Sequence, residues 1–190
     1  MDVMTTHPSW LPPAGPLTVD DLEALPVGPG DVRRYELLDG VLLVSPAPTP
    51  RHQVVVANLL LTLHASCPPD LRVLPAPLDV RLAPDTSLQP DLLVAPRHQF
   101  GDRDLPGAPL LAVEVLSPST RSFDLFSKRD RWERAGCAAY WVIDPDDEGS
   151  LLAWHLEDGE FREVAPVRGH QTYSARRPFE VELTPIRLLD

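Results

Sequence analysis

Short apolar runs, each bounded by proline, glycine or aspartate, alternate along this chain with two longer segments of helical character. YELLDGVLLVS (35–45) is two apolar pieces joined by Asp39-Gly40. Asp-Gly suits a two-residue turn in which both central positions take positive φ, so the pattern predicts a hairpin with strands over 34–38 and 41–45. Upstream, Thr18 with acids at 20, 21 and 23 predicts a short capped helix to about Leu25, stopped by the Pro26–Gly30 cluster. Thr49-Pro50 supplies an N-cap and a first-turn proline. The following RHQVVVANLLLTLHAS (51–66) is apolar over several turns and reads as a largely buried helix, ended at Cys67-Pro68-Pro69.

LRVLPAPLDVRLAP (71–84) breaks into alternating strand-like pieces, with Leu78, Val80 and Leu82 on one face and Asp79 and Arg81 on the other. PDLLVAP (90–96) is a short strand opened by proline, followed by a polar loop over 97–108. LLAVEVLS (110–117) is nearly continuous apolar sequence, the mark of a central strand covered on both faces. A helix is predicted from about Ser122 to Ala135 and closed by Gly136 at a left-handed cap. AAYWVID (138–144) is a further buried strand, LLAWHLE and EFREVA flank a turn at Asp158-Gly159, and PFEVEL holds a late strand. No repeat and no linker divides this order. The expected architecture is a single α/β domain over 18–190, one mixed twisted β-sheet flanked by helices, behind a flexible tail over 1–17.

Composition adds constraints. The 23 prolines are scattered as punctuation, and no stretch approaches the roughly 20 apolar residues of a membrane span. The N-terminal residues lack the basic start and apolar run of a secretory signal. Cys67 and Cys137 stand outside any metal-ligand spacing and read as two buried thiols, which points to the cytoplasm. A net charge of −11 argues against nucleic-acid binding by bulk electrostatics. Local charge differs: residues 121–134 carry Arg121, Lys128, Arg129, Arg131 and Arg134, whereas 144–160 is strongly acidic. That basic helix could engage a phosphate chain; its plain alternative is a solvated face of mixed charge.

Glu114, in the middle of a buried strand, is the most informative anomaly. Burying an ionised carboxylate costs several kcal/mol unless a cation meets it. Asp91 opens the preceding apolar strand; if the two strands are neighbours, the two acids converge on one point and form a hard oxygen site suited to Mg²⁺ or Mn²⁺. Such an ion would acidify a bound water and stabilise charge on a phosphate. A lysine would complete the set. Leu116, beside Glu114 on the same face, cannot serve; Lys128 on the next helix can, with Asp124 one turn before it. Spacing alone also fits an ordinary surface Asp–Lys pair. Trp132 and Trp141 read as core aromatics.

The strings YELLDG (35–40), SPAPTPRHQ (45–53), QPDLLV (89–94), VEVLSPSTRSFD (113–124), Lys128 and AGCAAYWVIDP (135–145) resemble, in order and over most of the chain, the signature blocks of the Uma-two family. That resemblance implies a restriction-endonuclease-like fold of the PD-(D/E)xK type and an endonuclease that hydrolyses phosphodiester bonds in DNA with Mg²⁺ or Mn²⁺. Pro90-Asp91 and Glu114 match the acidic parts of the motif and would hold the metal. Leu116 occupies the usual lysine position, and Lys128 stands in for it, to polarise the attacking water or the phosphate. Glu36 matches an acidic position of the family and would assist, although a hairpin-edge glutamate is also commonly solvent-exposed. His52, Arg121 and Arg131 are candidate phosphate contacts; a solvated histidine at a helix start is the plain alternative for His52. Asp124 would either orient Lys128 or cap its helix. Nucleases of this fold often pair, so a homodimer is compatible with the reading. The alternative is a catalytically weak or inactive nuclease-fold protein acting as a binding or assembly module. A hydrolase of other phosphate esters is the third reading.

Overall fold

The computed structural model describes residues 15–190. The expected tail therefore lies largely outside the described residues; near its end, Leu17 is buried and donates its N–H to the Gly40 carbonyl (2.9 Å). Among the described residues, the alternating runs form thirteen strands: β1 (Arg34–Leu38), β2 (Val41–Ser45), β3 (Leu71–Pro75), β4 (Val80–Ala83), β5 (Thr86–Leu88), β6 (Leu92–Pro96), β7 (Leu105–Pro106), β8 (Leu111–Val115), β9 (Ala139–Asp144), β10 (Ser150–Glu157), β11 (Glu160–Arg168), β12 (Tyr173–Ala175) and β13 (Val181–Leu183). Three α-helices accompany them, α1 (Val19–Glu23), α2 (Pro50–Ser66) and α3 (Arg129–Arg134).

The mixed α/β class is as expected, but the strands divide over three sheets instead of one. The first has the order β2-β1-β5-β4-β7, the second β11-β10-β9-β8-β6-β3, and β12 pairs with β13 as a hairpin. The division occurs inside the 71–84 segment: β3 pairs with β6, whereas β4 pairs with β5 and β7. Two short strands pair with β4 in the first sheet: β7, inside the expected 97–108 loop, and β5, in a stretch for which no element was expected.

Because successive side chains on a strand face opposite ways, the second sheet supplies two cores. Leu92, Val94, Val113, Val115 and Trp141 pack against Val55, Leu59 and Leu63 of α2. Leu93, Ala112, Leu116, Tyr140 and Val142 pack with Trp132 and with Leu38, Val80 and Leu88 of the first sheet. Alternation places Glu114 with Ala112 and Leu116, in the layer between the sheets. Both tryptophans are core residues, as expected; Cys137 is buried but Cys67 is only half-buried. Among the described residues, no helix is long and apolar enough to cross a membrane.

The hairpin turn behaves as its dipeptide requires, with Asp39 at φ 48° and Gly40 at φ 79°. A Cβ on Gly40 would lie 2.5 Å from the Cβ of Pro16. Gly40→Ala therefore carries both a left-handed backbone cost of about 1–2 kcal/mol and a clash. Its thermal unfolding midpoint should fall by roughly 3–8 °C, since about 1 kcal/mol moves a domain of this size by some 2–4 °C; an unchanged midpoint would show that the turn relaxes freely.

The helix expected over 122–135 is not uniform. Phe123–Lys128 is a π-helical turn, and α3 continues from Arg129 to the Gly136 cap (φ 80°). The wider π turn lets Asp124 and Lys128 both face inward, each about 1% exposed. The Tyr140 hydroxyl donates to the Asp124 carbonyl (2.8 Å).

Candidate active site

β6 and β8 are antiparallel neighbours with Leu92 opposite Val113. Asp91, one residue earlier, continues that register to face Glu114, and opposed residues share one face of a sheet. Glu36 comes from β1 across the interlayer, and Asp124 and Lys128 come from the π turn. All four carboxylates are buried. The Lys128 ammonium lies 3.0 Å from Glu36, 3.0 Å from Glu114 and 3.3 Å from Asp124. Two of its donors hydrogen-bond Glu36 and Glu114, while Asp124 meets it as an ion pair without a hydrogen bond.

Asp91 has partners of its own. The Arg34 Nη1 donates to Oδ1 (2.8 Å), while the Val115 N–H (2.8 Å) and His52 Nε2 (3.1 Å) meet Oδ2. Arg34 also donates to the Gln89 carbonyl (3.0 Å) and brings its Nε within 3.6 Å of Glu36, which accepts the Gln89 N–H (2.8 Å). Four carboxylates thus share two permanent cations, Arg34 and Lys128. Arg34, His52 and Asp91 line a cleft of about 770 Å³, whereas Glu36, Glu114 and Lys128 are buried and do not line it.

The family model described as "Putative restriction endonuclease", Uma2, matches residues 19–188.

The chain belongs to the Uma2 family.

Membership places it in a nuclease family. The crystal structure of "a putative nuclease belonging to DUF820" from Anabaena variabilis ATCC 29413 is similar with a TM-score of 0.68 at 18% identity, covering 92% of this chain and 97% of that one. Likeness at that identity speaks for the fold, which is restriction-endonuclease-like. No functionally curated protein matches this Uma2 chain.

Several expectations are corrected by the Uma2 geometry. Glu36 is 1% exposed, not a solvated hairpin edge, and His52 is buried against Asp91 instead of solvated at the start of α2. The Thr49 hydroxyl caps that helix by accepting the His52 backbone N–H (3.3 Å). Asp124 partners Lys128 and does not cap the helix. Two candidate phosphate contacts are not brought to the cleft: Arg121 pairs with Asp144 (2.7 Å), and Arg131 is buried with its Nε 3.1 Å from Asp39. Arg34 and Gln89 were missed. The available signal for Arg34 was its i, i+2 spacing from Glu36, which sets both on one strand face; nothing local marked Gln89.

The electrostatics follow from burial and counter-charge. For Asp91, burial pushes the pKa up, but the His52 hydrogen bond, the Arg34 charge and the Val115 N–H outweigh it and hold it at about 2. Burial, reinforced by Asp124, Asp91 and Glu36, raises Glu114 well above an ordinary glutamate despite Lys128. Burial likewise raises Asp124. Burial opposes the charge on Lys128, yet Glu114, Glu36 and Asp124 together raise its pKa above that of a free lysine. The lysine stays charged, and the proton that a carboxylate-rich layer attracts falls to the acids.

Among the described residues, no three His, Cys, Asp or Glu side chains form a metal-holding group by themselves. A hard cation such as Mg²⁺ asks for less, one or two carboxylates with water filling the remaining positions. Glu114 Oε2 is buried without a hydrogen-bond partner. Asp91 Oδ1 accepts one bond and keeps a lone pair. Two adjacent acids with uncommitted oxygen lone pairs fit that demand.

Proposed function

We propose that this Uma2 chain is a divalent-metal-dependent endonuclease that hydrolyses phosphodiester bonds in DNA. The observation that supports the reading most strongly is the pairing of Asp91 with Glu114 on one sheet face beside a cleft, with oxygen lone pairs left uncommitted. Those two residues would hold Mg²⁺ or Mn²⁺, which when bound supplies Lewis acidity and a more acidic water.

The chain's own residues supply the rest. His52 and the Val115 N–H fix the Asp91 carboxylate in one orientation, and Arg34 keeps it ionised at neutral pH. Lys128 anchors Glu114 and Glu36 and offsets negative charge that would otherwise repel a phosphate. Glu36 sets the position of Lys128 from the opposite sheet. In the hydrolysis, a water oxygen bonds to phosphorus as the ester P–O bond breaks, and the departing oxygen ends as a hydroxyl.

Cleavage of circular single-stranded and supercoiled double-stranded DNA with Mg²⁺ or Mn²⁺, quenched by a chelator, tests the reading. Calorimetric titration with Mn²⁺ should show one saturable site. Absence of both cleavage and binding would support the inert scaffold acting as a binding or assembly module. Cleavage of small phosphate esters alone would favour the third class of hydrolase.

A further inference from the structure

The cleft carries information about what kind of nucleic acid reaches Asp91. The only Lys or Arg residues lining it, among those described, are Arg33 and Arg34. Arg33 is committed to Asp31, through its Nε and Nη2. Residues 1–14 add no Lys or Arg, and the whole chain carries −11. Arg34 is different: its Nη1 serves Asp91 and Gln89, but its Nη2 has no hydrogen bond among the described residues, and its side chain is 20% exposed. A residue that lines the cleft thus keeps a guanidinium nitrogen without a hydrogen bond beside the proposed metal ligand.

The walls are of another character. Pro46, Pro48, Pro75, Pro77 and Pro118 present apolar rings. Ser117 and Thr120, whose hydroxyls are 2.9 Å apart, add neutral donors on the cleft wall. Duplex binders that neutralise the backbone engage several phosphates with several cations; this cleft offers one or two. A duplex also hides its base faces by stacking, whereas an unpaired strand exposes them to flat apolar surfaces. The cleft volume falls within the range of about 300–1,000 Å³ typical of small-ligand sites.

We propose that the cleft receives an unpaired stretch of DNA, with one phosphate on Arg34 and one base against the proline walls, in preference to a duplex. This rests on the nuclease reading and names the strand state of its substrate. Arg34 then has two roles, keeping Asp91 ionised and gripping the phosphate through a planar fork that lysine cannot reproduce.

The test is fluorescence anisotropy of a labelled oligonucleotide, single-stranded or annealed to its complement, with Ca²⁺ replacing Mg²⁺. The single strand should bind at least about tenfold more tightly. Its affinity should fall with salt at a log–log slope near −1, as one or two phosphate contacts give, against about −5 for six contacts on a duplex. Arg34→Lys should weaken single-strand binding about tenfold. Equal or tighter duplex binding, a slope steeper than about −4, no binding at all, or an Arg34→Lys variant of wild-type affinity would each overturn the proposal. The strand preference and the salt slope are read on wild type and do not depend on the variant folding. Single-strand binding without cleavage would uphold the cleft assignment and sink the nuclease reading; duplex-preferred binding with cleavage would do the reverse.

Discussion

Asp91→Asn and Glu114→Gln should each reduce metal-stimulated DNA cleavage by about a thousandfold or more. A catalytic ion contributes several kcal/mol to the transition state, and each 1.36 kcal/mol is a factor of about ten. Both substitutions keep side-chain volume, and the amide oxygen of the introduced asparagine accepts from either Arg34 or the Val115 N–H, which bond different oxygens of Asp91. Glu114→Gln removes a charge that burial already disfavours, so its thermal midpoint should stay within a few degrees of wild type. Circular dichroism melting beside the cleavage assay separates lost chemistry from lost structure. Variants that cut as fast as wild type would remove Asp91 and Glu114 from the reaction.

Lys128→Met should be the most destabilising single change in the site. It leaves Glu36, Glu114 and Asp124 around an uncharged side chain, and removing one partner of a buried ion pair costs about 3–5 kcal/mol. For a domain of this size that corresponds to a fall of roughly 6–20 °C in midpoint. The loss should grow with pH. Without the ammonium, burial raises Glu114 and Asp124 further in the folded state, so the folded protein binds more protons than the unfolded one and stability drops as pH rises above about 4. Melts at pH 5 and pH 8 check the sign; a deficit that is larger at pH 5 would show that Lys128 does not offset the burial of these acids.

The same residue explains how a nuclease fold manages without lysine on the strand. Leu116 packs in the layer between the sheets with Trp132, Tyr140 and Val142, where apolar contacts fill the space. The cation reaches Glu114 from the π turn instead, at 3.0 Å. A π turn is less favourable than the α-helix it interrupts, and here it directs both Asp124 and Lys128 inward, which ties the unusual backbone to the charge cluster.

What the amino-acid order settled by itself was local. The Asp39-Gly40 turn, the Thr49-Pro50 start of α2, the Gly136 cap and the apolar run around Glu114 follow from preferences expressed within a few residues. The demand for a counter-charge at Glu114 was equally plain, because burying an acid has a cost wherever it occurs. The tertiary structure alone decided which counter-charge answered. Arg34 meets Asp91 across 57 positions of sequence and Lys128 meets Glu36 across 92, distances over which residue spacing holds no information. The division of strands among three sheets, the burial of His52 and the turning of Arg131 toward Asp39 have the same origin. Strand partners and ion-pair partners are selected by competition among all segments at once, and only the folded chain registers the outcome.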